Sequence, residues 1–237
     1  MRMQFYHGAT AGTDLTVDNI DPMKYSTGRT PLPAFTLGDK SVAQDYAETG
    51  GVGKAGVAQK GPLYKAELEF DSPKRIVPAY GKASEDFIHF MRESLPEEME
   101  RELIPGGRKI KVNPRKMFDD ALADLSPEEI TNYAVIDTVS NAHEVYRPLG
   151  NYEYAARAHG NIEARRFGID ALTWNDHGDN VIALLDPSDI HSKVGRKNIA
   201  SIDLVEPTVT TGPTPGAVPP TPTVTTGPTP GKPLSGP

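Results

Sequence analysis

Within the first 70 residues, apolar and polar positions mark three short strands and one helical stretch. Met3–His7 reads as a short strand delivered into a turn at Gly8. "PAFTLGDKSVAQDYAETG" predicts a strand ending near Thr36, a turn at Gly38-Asp39, then a helix through Val42, Ala43, Tyr46 and Ala47. In "GPLYKAELEF", Tyr64, Ala66, Leu68 and Phe70 alternate with Leu63, Lys65, Glu67 and Glu69. That period of two predicts a half-buried strand.

Residues 82–165 read as helical. Ser94-Leu-Pro-Glu97 and Ser126-Pro-Glu-Glu129 have the form of capping boxes with proline in the first turn. After the second, Val135, Val139, Ala142 and Tyr146 recur at helical spacing and predict a core-facing stripe. The run "EEMERE" predicts a solvated helical face. Breaks fall at Pro105-Gly106-Gly107 and at Pro148 to Gly150, ahead of a further helical segment, "NYEYAARAHGNIEARRF". "DNVIALLDPSDI" then predicts a buried strand closed by an Asp-Pro turn.

Composition separates a tail from this α+β body. From Pro207 onward Lys232 is the only charged residue, and the stretch holds ten of the 22 prolines. It repeats "PTVTTGPTPG" at 207–216 and 222–231, a composition for extended, polyproline-like or turn conformations that cannot build a core. The expected organisation is a folded domain over 1–206 and a linker or docking tail over 207–237. The first 206 residues carry 24 basic and 32 acidic groups, a balance that argues against a broad nucleic-acid footprint. With no cysteine, disulfide scaffolds, thiolate zinc sites and thiol nucleophiles are excluded. No apolar run reaches membrane-spanning length and the N-terminus lacks the apolar core of a signal peptide, so a cytoplasmic location is expected.

Several motifs fail on context. Gly51-Val-Gly53-Lys-Ala-Gly56 matches the dinucleotide fingerprint by letter, but a helix precedes it and a Gly/Pro-rich loop follows. Ala55 offers no hydroxyl to magnesium, so the phosphate-loop pattern fails as well. The six histidines (His7, His89, His143, His159, His177, His191) show no metal-ligand spacing, and no metal is expected. His143-Glu144 reads as helix packing or surface. No nucleophile elbow of the G-x-S-x-G form occurs.

Three blocks remain, in order: "FYHGAT", "PAFTLGDKSVAQDYA" and "DNVIALLDPSDI". Together they resemble the ADP-ribosyltransferase superfamily of the diphtheria-toxin and poly(ADP-ribose)-polymerase type, especially its phage and bacterial members. The match covers roughly 100 of 237 residues, in separate blocks. The resemblance implies an α+β fold of split β-sheets forming a cleft, here with a helical insertion over about 82–165. It also implies NAD as the substrate cofactor.

By that resemblance His7 would bond the adenosine ribose, and the backbone of Gly8 would pair with the nicotinamide carboxamide. Thr10 would brace the turn or reach the ribose. Thr36 lies at the second block, and Phe35 is the aromatic nearest the position of the family's stacking ring. The family's glutamate at the start of the last strand is missing. Counting back from Asp186 gives Val181 or Asn180, and Asp179 is the nearest carboxylate, with Asp176 in the preceding loop. The candidate catalytic set is therefore His7, Asp179 and Asn180.

Two functional readings follow from the resemblance. One is a mono-ADP-ribosyltransferase acting on a protein or nucleic-acid acceptor. The other is a catalytically reduced module of the same fold, virion-associated or delivered into a host cell, anchored by its tail. A protein acceptor or structural partner would be met by the helical insert or the tail. A chance "HGAT" in an unrelated α+β protein is the third alternative.

Overall fold

The computed structural model describes residues 1–18, 20, 35–49, 60–102, 108–143, 152–185 and 198–205. By internal contacts the chain forms two units, Met1–Glu206 and Pro207–Pro237. The Gly51–Gly56 loop, the Asp-Pro closure at Asp186 and the repeated tail lie outside the described residues.

Strand β1 (Arg2–Gly8) opens the chain, followed by β2 (Phe35–Gly38), helix α1 (Lys40–Thr49) and β3 (Leu63–Glu69). As the alternation predicts, Tyr64, Ala66 and Leu68 of β3 are buried. A single 3-10 turn, Pro73–Arg75, leads into β4 (Ile76–Pro78) and then α2 (Glu85–Glu93). Next come β5 (Met99–Glu102), β6 (Lys109–Val112), α3 (Pro114–Ala123), α4 (Asn132–His143) and α5 (Tyr152–Phe167). The fold closes with β7 (Ala171–Asp176), β8 (Asp179–Leu184) and β9 (Ile199–Val205).

Seven strands form one mixed sheet in the order β4-β7-β8-β2-β1-β3-β9, in which only the β4–β7 pair is parallel. The protein is thus α+β. The expected split into two sheets is not realised as a full separation. The halves β4-β7-β8-β2 and β1-β3-β9 join through one register pair, Tyr6↔Gly38. Each face of the sheet carries a core. Phe5, Phe35, Leu37, Tyr64, Ile182 and Leu184 line one, under Leu15 and Ile20 of the segment after β1. Leu172, Ala183 and Leu185 line the other, packed against Phe87, Met91, Phe118, Val135, Ile136 and Val139 of the helices.

The helical reading of 82–165 needs correction. It contains a two-stranded antiparallel hairpin, β5–β6, and "EEMERE" enters it as a strand. Ser94 starts no helix. It caps the C-terminus of α2, its hydroxyl donating to the Met91 carbonyl at 2.6 Å. Glu129 does reach back to the Ser126 amide at 2.9 Å, yet this closes a turn. Helix α4 begins at Asn132, with the Thr131 hydroxyl accepting from the Ala134 amide. The stripe at Val135, Val139 and Ala142 is buried as expected, and Tyr146 lies outside the described residues.

Helices α4 and α5 pack through two imidazoles. His143 and His159 stack with centroids 3.7 Å apart and planes 14° from parallel. His159 Nε2 is buried without a hydrogen-bond partner among the described residues. Burial first, then the neighbouring His143 and Arg166, pushes His159 down to about 4, and burial lowers His143 too. Glu163, on the same helix, is engaged by Arg166 at 2.8 Å.

The sign of the resulting pH dependence is fixed. The unfolded chain binds protons on these rings below about 6.5 while the fold keeps them neutral, so stability falls as pH drops from 6.5 towards 4. Up to about 3 kcal/mol is expected from His159 across that window. Urea midpoints between pH 7.5 and 4.5 should fall more steeply for wild type than for His159→Phe, which keeps a flat ring but cannot titrate. Parallel profiles would rule the effect out.

Candidate functional site

Hydrogen-bond parity in the ladders fixes which way the backbone faces at the β1–β2 seam. The Ala9 amide donates to the Pro62 carbonyl at 3.0 Å, and Phe70 donates to Met1 at 2.9 Å. Odd-numbered residues of β1 therefore direct their amides and carbonyls to β3, and Tyr6 and Gly8 direct theirs towards β2. On the other side Asp39 donates to the Asn180 carbonyl at 2.9 Å, so odd-numbered residues of β2 face β8. Thr36 and Gly38 then face β1.

Tyr6 and Gly38 pair, and the next rung would join Gly8 to Thr36. The register stops before it. The carbonyl of Thr36 instead accepts from His7 Nδ1 at 2.9 Å. An imidazole has taken the place of a ladder bond, and the amide and carbonyl of Gly8 point into the opened seam.

His7 is held on both sides. Its ring lies 4.7 Å from that of Phe35, tilted by 35°. Burial lowers its pKa, with the Thr36 carbonyl working in the opposite direction, so the ring is neutral near pH 7. Since a carbonyl can only accept, Nδ1 carries the proton, and Nε2 is the acceptor nitrogen of the neutral ring.

The other expected residues divide. Phe35 is 1% exposed in the core, so it braces the imidazole and offers no open face for stacking. Thr10 is exposed and bonds the Thr13 hydroxyl at 3.2 Å, bracing the turn. Gly8 needs its missing side chain for a reason the sequence reading did not anticipate. A Cβ there would stand 2.0 Å from the Ala43 carbonyl oxygen and 2.7 Å from the Ala47 amide of α1.

At the closing strand, face alternation separates the candidates. Ile182 and Leu184 share the face of His7 and Phe35, and so does Asn180, two residues before Ile182. Asp179 and Val181 point to the opposite face. There Asp179 accepts from the Ser41 hydroxyl at 2.7 Å, tying β8 to the first turn of α1. Asp176 sits across the hairpin from Asp179, with His177 (φ 52°) and Gly178 (φ 103°) making the turn. Among the expected catalytic residues, His7 and Asn180 therefore share a face and Asp179 does not.

The carboxylate bonded to Asn180 is that of Asp39, which the sequence reading placed in a turn. Its Oδ2 accepts from both the backbone amide and the side-chain Nδ2 of Asn180, at 2.8 and 3.0 Å. The signal available in advance was the "GD" pair immediately before α1, which required the β2–β8 register to interpret.

Among the described residues, no cluster of three His, Asp or Glu side chains could hold a metal, and no helix is long and apolar enough to cross a membrane. No protein-family model, curated protein or solved structure matches the chain.

Proposed function

We propose that the seam at His7 binds NAD in the manner of the ADP-ribosyltransferases and that the chain transfers ADP-ribose to an acceptor. The observation that carries this reading is the interrupted ladder. A neutral, oriented imidazole replaces a strand partner, and the adjacent Gly8 backbone turns a donor and an acceptor into the gap. An amide pair of that kind suits a carboxamide, and the Nε2 acceptor suits a ribose hydroxyl.

In the reaction the bond between nicotinamide and the ribose C1′ breaks and nicotinamide leaves with its electron pair. A nucleophile of the acceptor forms the new bond at C1′. A carboxylate facing the developing cation lowers the barrier electrostatically. Asp39, positioned by Asn180, is the group assigned to that role, in place of the glutamate the strand lacks.

The module reading draws support from Asp179, whose carboxylate is committed to Ser41 on the far face. Binding and turnover separate the two. Calorimetry with NAD should show a single site, weakened roughly tenfold or more by His7→Ala. Nicotinamide release should fall about 10²-fold in Asp39→Asn with NAD affinity retained, and stay near wild type in Asp179→Asn. NAD binding without release would leave the module; no NAD binding removes the transferase reading.

A further inference from the structure

A second site of different chemistry lies at the β4 edge of the sheet, where α2, α4 and the end of α5 meet it. The hollow there has a volume of about 530 Å³. That is within the roughly 300–1,000 Å³ of small-molecule sites. It shares none of its lining with the seam: His7, Gly8, Phe35 and Thr36 are all absent from it.

The chain carries a net charge of −7, yet among the described residues this hollow is lined by Lys74, Arg75 and Lys82 and by no carboxylate. Arg75 is neutralised by Asp170, which it grips through Nε and Nη2. Lys74 and Lys82 are exposed and have no ion-pair partner among the described residues. The acidic side chains that open α2, Glu85 and Asp86, lie outside the lining. Two lysines lining one concavity, with no ion-pair partner among the described residues, suit a dianion, and phosphate is the common one.

The remaining walls are specific in another way. Phe167 is 38% exposed, although its ring packs on Phe87 at 5.0 Å and on Phe90 at 5.3 Å. It is an aromatic ring held by two neighbours yet still exposed at the hollow, the kind of surface on which flat rings stack. Asn132, only 8% exposed, donates from Nδ2 to the Pro78 carbonyl at 2.9 Å. That bond fixes the amide, and its Oδ1 is the acceptor that remains for a ligand donor.

We propose that this hollow binds a nucleoside monophosphate or a phosphomonoester of that shape. The base would stack on Phe167 and donate to Asn132 Oδ1, with the phosphate between Lys74 and Lys82. The proposal is independent of the NAD reading, because the two sites have no residue in common.

Calorimetry with AMP on the full-length chain tests it. Saturable one-site binding is expected at a Kd between about 10 μM and 1 mM, with competition by inorganic phosphate and weaker binding of adenosine. Lys74→Gln/Lys82→Gln should weaken AMP at least tenfold, and both side chains are exposed, so the fold is retained. Phe167→Leu should weaken AMP and adenosine alike but leave phosphate unchanged. His7→Ala should leave the AMP affinity as it is. No saturable heat up to about 5 mM AMP, or lysine variants within twofold of wild type, overturns the proposal. So does loss of AMP binding in His7→Ala, which would place the nucleotide at the seam.

Discussion

Asp170→Ala is expected to destabilise the fold by about 3–5 kcal/mol, the range for removing one partner of a buried ion pair. Its side chain is 1% exposed. Arg75 donates to it through two nitrogens, Nη2 at 2.7 Å, and the Arg165 guanidinium stands 3.5 Å away. Asn198 Nδ2 lies at 3.5 Å from Oδ2. The backbone is tied in as well, with the Asp170 amide on the Arg75 carbonyl at 2.7 Å and the Leu185 amide on the Asp170 carbonyl at 2.9 Å. One residue thus joins the start of β4, the end of α5, the start of β7, the end of β8 and the approach to β9. Alanine leaves Arg75 and Arg165, 30% and 14% exposed, without their common anion.

Because unpaired charge causes most of the loss, Arg75→Met in the same chain should recover part of it. Urea unfolding of the two single variants and the double variant measures this. A midpoint for Asp170→Ala corresponding to less than about 1 kcal/mol would show that the pair is replaceable by water.

Asp170 marks a limit of sequence reading. In "RRFGIDALTWND" it is one of two acids, and nothing local says that its partner lies 95 residues earlier. Elements with an apolar period were legible. Tyr64, Ala66 and Leu68 announced β3, Val135 and Val139 announced α4, and the five apolar or small residues before Asp186 announced β8. The hairpin β5–β6 was not, because "MERE" carries one apolar residue in four and the alternation of "KIKV" spans only four residues, too short to stand out beside the helical segments around it. Ser94 was misread because a serine with proline two residues on fits a helix start and a helix stop equally well.

The site divides the same way. His7 and Gly8 were legible as a strand end. Asp39 was not, because its place beside Asn180 exists only once β2 and β8 are in register. Lys74, Lys82 and Phe167 come from distant segments and meet only in the fold.

Gly8→Ala is expected to cost about 3 kcal/mol or more, at the upper end of overpacking effects. The added Cβ would meet the Ala43 carbonyl oxygen at 2.0 Å, the Ala47 amide nitrogen at 2.7 Å and the Ala43 carbonyl carbon at 3.0 Å. All three are helix backbone, so no rotamer change relieves the contact, and α1 must lift from β1. This helix also holds Ser41 against Asp179, and Asp39 stands immediately before it, so the strain reaches β8.

The direction of the clash bears on function. A Cβ stands perpendicular to the sheet, on the α1 side, whereas the amide and carbonyl of Gly8 lie in the plane of the sheet and face the seam. A methyl group would therefore not obstruct a carboxamide approaching from β2. Loss of NAD binding in Gly8→Ala should accordingly track loss of folding. Thermal midpoints and NAD titrations on the same samples decide the point. A variant that melts like wild type but no longer binds NAD would show that glycine is present for the ligand and not for the helix.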